Sequence, residues 1–165
     1  MTQDLFKQGL AAARRGDFAR AAQLWGALAS QGDRRAQYNL GYLHANGQGL
    51  PLDYAQALAW YRKAADQGFA PAQFNLGVLL SGTDGVPADY PAALQWYRKA
   101  AEQGDADAQF NIGVAYATGQ GVATDYVQAF RWYSRAAKAG HQQAARTRDS
   151  IAAEMTPEQI AEAQR

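Results

Sequence analysis

The strongest constraint on this chain is that it repeats itself. AQYNLGYLHANGQGLPLDYAQALAWYRKAADQGFAP from Ala36, AQFNLGVLLSGTDGVPADYPAALQWYRKAAEQGDAD from Ala72 and AQFNIGVAYATGQGVATDYVQAFRWYSRAAKAGHQQ from Ala108 align without a gap at a period of 36 residues. A unit of this length cannot bury its apolar side alone and has to stack on its neighbours. An earlier block, DLFKQGLAAARRGDFARAAQLWGALASQGDRR from Asp4, keeps the second half in register through Asp17, Phe18, Ala21, Trp25, Ala29 and Gly32 but is four residues shorter in its middle. A degenerate terminal unit is what a capped array predicts. Residues 1–165 therefore read as a single repeat domain: a first repeat at 4–35, full repeats at 36–71, 72–107 and 108–143, and a C-terminal cap at 144–165.

Each block reads as two helices. Ala36, Leu40 and Leu43 recur at helical spacing as one apolar stripe, with Asn39, Tyr42 and Asn46 on another side. The second helix opens at Asp53 and gathers Tyr54, Ala57, Leu58, Tyr61, Ala64 and Ala65 on one arc, against Gln56, Arg62, Lys63 and Asp66. Asp53 and Asp125, each followed three residues later by Gln, are N-cap acids, and Asp89 tolerates Pro91 because a first-turn N–H is not needed. Gly68, Gly104 and Gly140 close these helices, and GQG at 47–49 and 119–121 and GTDG at 82–85 turn the chain between helices. Gly41, Gly77 and Gly113 fall inside first helices, where glycine costs about 1 kcal/mol relative to Ala. Close helix approach beneath Tyr54, Tyr90 and Tyr126 or their neighbours is the expected compensation. Thr156, Pro157 and Gln159 start a last short helix with a capping box.

Composition narrows the function. Sixteen basic residues against fifteen acidic ones leave a net charge of +1, so no single-sign field draws in nucleic acid or an anionic membrane. The charge is uneven: six basic and three acidic residues lie within 1–35, two basic and five acidic within 72–107. Cysteine is absent, which removes disulfides and thiol chemistry. No apolar run is long enough to insert in a membrane, and the start MTQDLFKQGLAAARRGDF carries no leader pattern. The expected compartment is the cytoplasm, or the periplasm or exterior where a leader has been trimmed. His44 and His141 stand apart, and H-x-x-x-H, S-x-x-K, G-x-S-x-G and P-loop patterns are missing. A non-enzymatic chain with no catalytic residue, cofactor or metal is the expectation.

The string A-Q-x-N-[LI]-G, then G-x-G-V or its variants, then D-Y-x-x-A-x-x-W-Y-x-[KR]-A-A-x-x-G, resembles the Sel1-like repeat family, a relative of the tetratricopeptide repeats. The resemblance implies an all-α fold: a right-handed α-α superhelix, or solenoid, of about four helix-turn-helix repeats plus a C-terminal capping helix pair, with first helices lining the concave face. Cysteine-rich members are linked to β-lactam hydrolysis, but neither their cysteines nor an S-x-x-K nucleophile occurs here.

The implied function is a protein- or peptide-binding scaffold using that concave face. An enzyme or regulatory subunit with a site between repeats, or a rigid spacer, is the alternative, and the oligomeric state is open. Groove candidates are Tyr38, Asn39, Tyr42 and Asn46, then Phe74, Asn75, Val78 and Gly82, then Phe110, Asn111, Val114 and Thr118. Asn39, Asn75 and Asn111 at one repeat spacing suit a partner backbone, as in the asparagine ladders of related helical-repeat proteins, or else they fix repeat geometry. Three hydrogen bonds of about 1 kcal/mol each fall short of the roughly 8 kcal/mol of a micromolar complex. Apolar anchors are therefore needed, with Tyr38 and Tyr42 the best placed and Phe6 and Leu10 beside them; Phe74 and Phe110 are expected to pack between repeats. Trp60, Trp96 and Trp132 are expected to pack rather than form a platform. Arg14, Arg34 and Arg35 form a charged mouth for an acidic tail, or else a solvated face.

Overall fold

The computed structural model describes residues 2–83 and 85–165, so Asp84 of the GTDG turn lies outside the described residues. Its helices are α1 (Thr2–Arg14), α2 (Phe18–Ser30), α3 (Arg34–Asn46), α4 (Tyr54–Asp66), α5 (Ala70–Leu80), α6 (Tyr90–Glu102), α7 (Ala106–Thr118), α8 (Tyr126–Lys138), α9 (Gln142–Ala152) and α10 (Pro157–Ala163). Apart from an isolated bridge between Thr83 and Val86, the described residues contain no strand. The chain sorts into two compact units, Met1–Pro87 and Ala88–Arg165, where the repeat pattern alone reads as one domain. In the first unit α1 to α5 pack each on the next; in the second α6 to α9 do the same and α10 folds back on α8.

Helix starts follow from side chains that satisfy unpaired first-turn N–H groups. Asp17, Asp53, Asp89 and Asp125 each accept from the backbone N–H three residues on, at 2.9 to 3.0 Å. Asp33 and Asp105 do the same for first helices, which is why α3 and α7 begin at Arg34 and Ala106 rather than at Ala36 and Ala108. The expected capping box at Thr156 and Gln159 is present in both directions. It seats α10, whose Ile160 and Ala163 join Met155, Ile151, Val127 and Phe130 in a small terminal core. Val127 is buried under this cap where Ala55 and Pro91, its counterparts in earlier repeats, are exposed.

The interior glycines approach a different ring from the one expected. A Cβ on Gly41 would stand 2.6 Å from Tyr61 Cδ1, and one on Gly113 would stand 2.6 Å from Tyr133 Cδ1. The partner is therefore the tyrosine seven residues beyond Tyr54 and Tyr126, because the two helices run antiparallel and Gly41 and Gly113 lie mid-helix. In the first repeat the indole of Trp25 occupies the same place over Gly9.

Three buried glutamines tie successive hairpins together. Gln37, Gln73 and Gln109 donate from Nε2 to the carbonyls of Ala29, Ala65 and Ala101, at 3.2, 3.2 and 3.3 Å. Gln37 Oε1 also accepts from Gln67 Nε2 at 2.8 Å. At the corresponding offset from Gln109 stands Ala139, and Gln109 Oε1 is buried with no hydrogen-bond partner among the described residues. Gln67 and Ala139 end their helices in nearly the same backbone conformation, φ −86° and −80°. Ala139→Gln is therefore expected to raise stability by about 1 kcal/mol, the net worth of one recovered hydrogen bond. A rise in the urea midpoint at unchanged m-value measures it; an unmoved midpoint would show that Gln109 needs no such partner.

Candidate functional site

First helices expose an apolar residue at one recurring position. Tyr42 on α3 is 45% exposed and Val78 on α5 is 38% exposed, while Val114 on α7 is half-buried. The preceding positions turn inward. Tyr38 lies against the rings of Tyr61 and Phe69, with centroids 5.7 and 5.5 Å away. Phe110 lies 5.3 Å from Tyr133 and stacks on His141 at 4.3 Å. Phe74 is half-buried. Tyr38 and Phe110 thus bind their own hairpins together.

The asparagines occupy distinct environments. Asn75 Nδ2 donates to the hydroxyls of Tyr61 at 3.3 Å and Tyr38 at 3.4 Å, linking α5 to α3 and α4. Burial pushes the Tyr61 hydroxyl well above the ordinary phenol range, while the Asn75 hydrogen bond pulls the other way. Burial pushes Tyr133 up to about 12. Asn39 and Asn111 are half-buried, and among the described residues no side-chain hydrogen bond holds either one. Asn46 and Thr118 turn back on their helices, donating to the carbonyls of Tyr42 and Val114 at 2.8 and 2.9 Å.

Tyr38, Asn39 and Tyr42 meet Ala13, Phe18, Trp25 and Leu43 around a cleft of about 280 Å³. It forms where α3 stacks on the first hairpin, so three of its seven lining residues come from the degenerate repeat. Phe18 and Trp25 were visible as repeat-position residues, but nothing in their spacing marks them as cleft walls; stacking of one hairpin on the next brings them to Asn39. Phe6 and Leu10, expected beside the anchors, are instead half-buried against the core around Trp25 and Leu28.

At the charged mouth, Arg14 is exposed in the last turn of α1. Arg34 donates to the Gln67 carbonyl at 3.3 Å and lies 5.7 Å over the Phe69 ring. Arg35 pairs with Asp33 at 2.8 Å and lies 4.3 Å over Phe6. The hydrogen bond from Arg35, helped by the N–H groups of Ala36 and Arg35, holds the Asp33 carboxyl below its usual range. A carboxyl depressed in the folded state stabilises above its unfolded pKa and loses that contribution as pH falls through the folded one. The stability difference between wild type and Asp33→Asn, which keeps a capping oxygen but no charge, should be full at neutral pH and shrink below about pH 3.8. Paired denaturation curves from pH 7 to pH 2 check this, and a constant difference would deny the ionic part of the cap.

Each W-Y-x-[KR] element sets a cation on its tryptophan: Lys63 over Trp60 at 4.2 Å, Lys99 over Trp96 at 4.0 Å and Arg135 over Trp132 at 4.9 Å. Trp96 is buried, and Trp60 and Trp132 are half-buried. Among the described residues no group of three or more His, Cys, Asp or Glu side chains gathers closely enough to hold a metal ion. Among them too, no helix is long and apolar enough to cross a membrane.

Solved structures with the same architecture include a Sel1 repeat protein from Oxalobacter formigenes, 37% identical, with a TM-score of 0.77 over 86% of this chain and 56% of that one. A second is a protective antigen of uropathogenic Escherichia coli strains with an SLR fold, 29% identical, with a TM-score of 0.62 over 99% of this chain and 44% of that one. A curated relative, the ERAD-associated E3 ubiquitin-protein ligase component HRD3A of Arabidopsis thaliana, is 51% identical over 37 residues, which are 22% of this chain and 6% of that protein. The chain thus spans about half the length of the solved relatives and a small fraction of the curated one. The all-helical hairpin series and these neighbours make the fold a helical-repeat solenoid of the Sel1 type. The Sel1 repeat profile matches residues 34–69, 70–105 and 106–141, three abutting blocks whose limits coincide with the Asp33 and Asp105 caps, and on that match the chain belongs to the Sel1 repeat family.

Proposed function

We propose that this chain is a scaffold that holds a protein segment along the exposed face of its first helices. Sel1 repeats are in general protein-interaction units, and membership in that family supports the class of function. The observation that carries the site is the row of exposed apolar residues, Tyr42 and Val78, beside the cleft at Asn39. Exposed aromatic residues at the rim of an apolar cleft are the usual anchors of a binding surface. In this reading Tyr42 seats the partner side chain, Asn39 meets its backbone with an amide that both donates and accepts, and Val78 extends the contact along α5. Val114 and Asn111 hold the same repeat positions on α7, within the second unit, where both are half-buried. Tyr38, Asn75 and Phe110 act as framework, keeping the exposed residues in place through their contacts with Tyr61 and Tyr133.

Tyr42→Ala tests the reading. With the phenol partly exposed, the variant should keep the wild-type stability within about 0.5 kcal/mol. Partners recovered by tagged wild type and identified by mass spectrometry should be depleted in the variant, and titration of a recovered partner should show affinity weakened about thirtyfold, the scale of a hot-spot truncation. Equal recovery of every partner by the folded variant would remove the site.

A further inference from the structure

The second unit carries a cleft of opposite character, away from the first helices. Gln128, Arg131, Trp132, Arg135, Lys138 and Arg165 surround a space of about 570 Å³ where α10 folds back along α8. Every charged side chain lining it is a cation. Arg131, Arg135 and Lys138 follow one another at i, i+4 and i+7, so they form one stripe about 10 Å long.

The chain supplies its own comparison. The same positions hold Ala59, Lys63 and Asp66 on α4, and Gln95, Lys99 and Glu102 on α6. Those two stripes are neutral, each with one base and one acid. On α8 the acid has become Lys138 and a further cation, Arg131, has been added. The guanidinium groups are also held in place: Arg131 Nη2 donates to the Glu162 carbonyl at 2.7 Å, and Arg135 lies over Trp132. Among the described residues no carboxylate forms an ion pair with Arg131, Arg135, Lys138 or Arg165.

We propose that this cleft binds an acidic segment of another polypeptide, with three or more Asp or Glu side chains within about four residues. Charge complementarity selects an anion. Length selects a chain over a small ion, since a stripe of about 10 Å matches three to four residues of extended peptide and no single phosphate reaches both Arg131 and Lys138. The near-neutral total charge selects against nucleic acid, whose binding draws on a broad basic surface. Trp132 lines the same wall and carries Arg135 over its ring, which holds that guanidinium at the cleft. This site is independent of the one at Tyr42, being in the other unit and of other chemistry.

The test is fluorescence anisotropy of a labelled hexapeptide of alternating Asp and Glu, titrated with the full chain at low salt. Binding is expected, with weakening as ionic strength rises. Arg135→Gln with Lys138→Gln should weaken it at least about tenfold, since removing one charge-assisted hydrogen bond is worth about that factor. Lys63→Gln with Lys99→Gln changes the net charge equally at the corresponding positions of α4 and α6 and should leave affinity within about twofold. Circular dichroism confirms that both variants fold. The proposal is overturned if the two pairs weaken binding equally, if the Asn/Gln twin of the peptide binds as well, if inorganic phosphate displaces the peptide at equal concentration, or if a single-stranded oligonucleotide binds more tightly than the peptide.

Discussion

Gly49→Ala and Gly121→Ala are each expected to lower stability by about 3 kcal/mol, and Gly85→Ala, at the same repeat position, by about 1 kcal/mol. All three residues have positive φ, 69°, 75° and 85°, so each substitution meets the same backbone strain. They differ in what lies beside them. A Cβ at Gly49 would meet the backbone of Phe18 and stand 2.5 Å from Ala19 N; one at Gly121 would stand 2.6 Å from Tyr90 C and 2.7 Å from its oxygen. At Gly85 no atom of the other described residues lies within 4 Å of the added Cβ. Backbone at a helix start cannot swing away as a side-chain tip can, so the loop or the helix has to move, and the stacking of one hairpin on the previous one loosens. Urea denaturation gives the magnitude. Hydrogen exchange gives the place: faster exchange should appear in α2 and α3 for Gly49→Ala and in α6 and α7 for Gly121→Ala. Equal losses at all three glycines would mean that strain alone is at work and that loop contact on the previous hairpin contributes nothing.

Gly113→Ala is expected to cost about 2 kcal/mol although alanine is the better helix former by about 1 kcal/mol. The propensity gain is outweighed because the added methyl would stand 2.6 Å from the ring of Tyr133, which is buried at 2% exposure. Tyr133→Leu removes the ring and should itself cost a few kcal/mol, as truncations of buried aromatics do. Together the two changes should cost less than their sum by about 1 kcal/mol or more, since the methyl fills space the ring has left. A double-mutant cycle on urea midpoints reads this coupling. Strict additivity would show that glycine is present at 113 for some reason other than the close approach of α8.

The helices, their order and most of their caps were legible from one copy of the repeat set beside another. Asp53, Asp89 and Asp125 at helix starts, Gly68, Gly104 and Gly140 after helix ends, and the Thr156 to Gln159 box are local signals, complete within about one turn of chain. The caps at Asp33 and Asp105 are equally local, but the letters that recur most plainly, AQxN, begin two residues into the helix and so leave them outside the repeated string. The candidate site was legible as a set of positions and illegible as a set of roles. Spacing put Tyr38, Asn39 and Tyr42 on one side of α3, but a turn of helix cannot show that Tyr38 faces Tyr61 and Phe69 while Tyr42 faces solvent. Nor can it show that Asn75 donates to two tyrosine hydroxyls, one of them 37 residues back. Phe18 and Trp25 reach the same cleft only because the first hairpin stacks beneath the second.

The amino-acid order by itself determined that this protein is a series of helical hairpins whose apolar sides need one another, because periodicity, capping and glycine placement act over a few residues and recur every 36. Tertiary structure alone decided which recurring residues bind the hairpins together and which remain exposed. It also decided that the cationic stripe of α8 faces a cleft under α10. Those outcomes depend on how segments roughly one repeat apart pack together, where a single substitution such as Gln to Ala139, or acid to Lys138, changes the role of a neighbour without altering the local pattern.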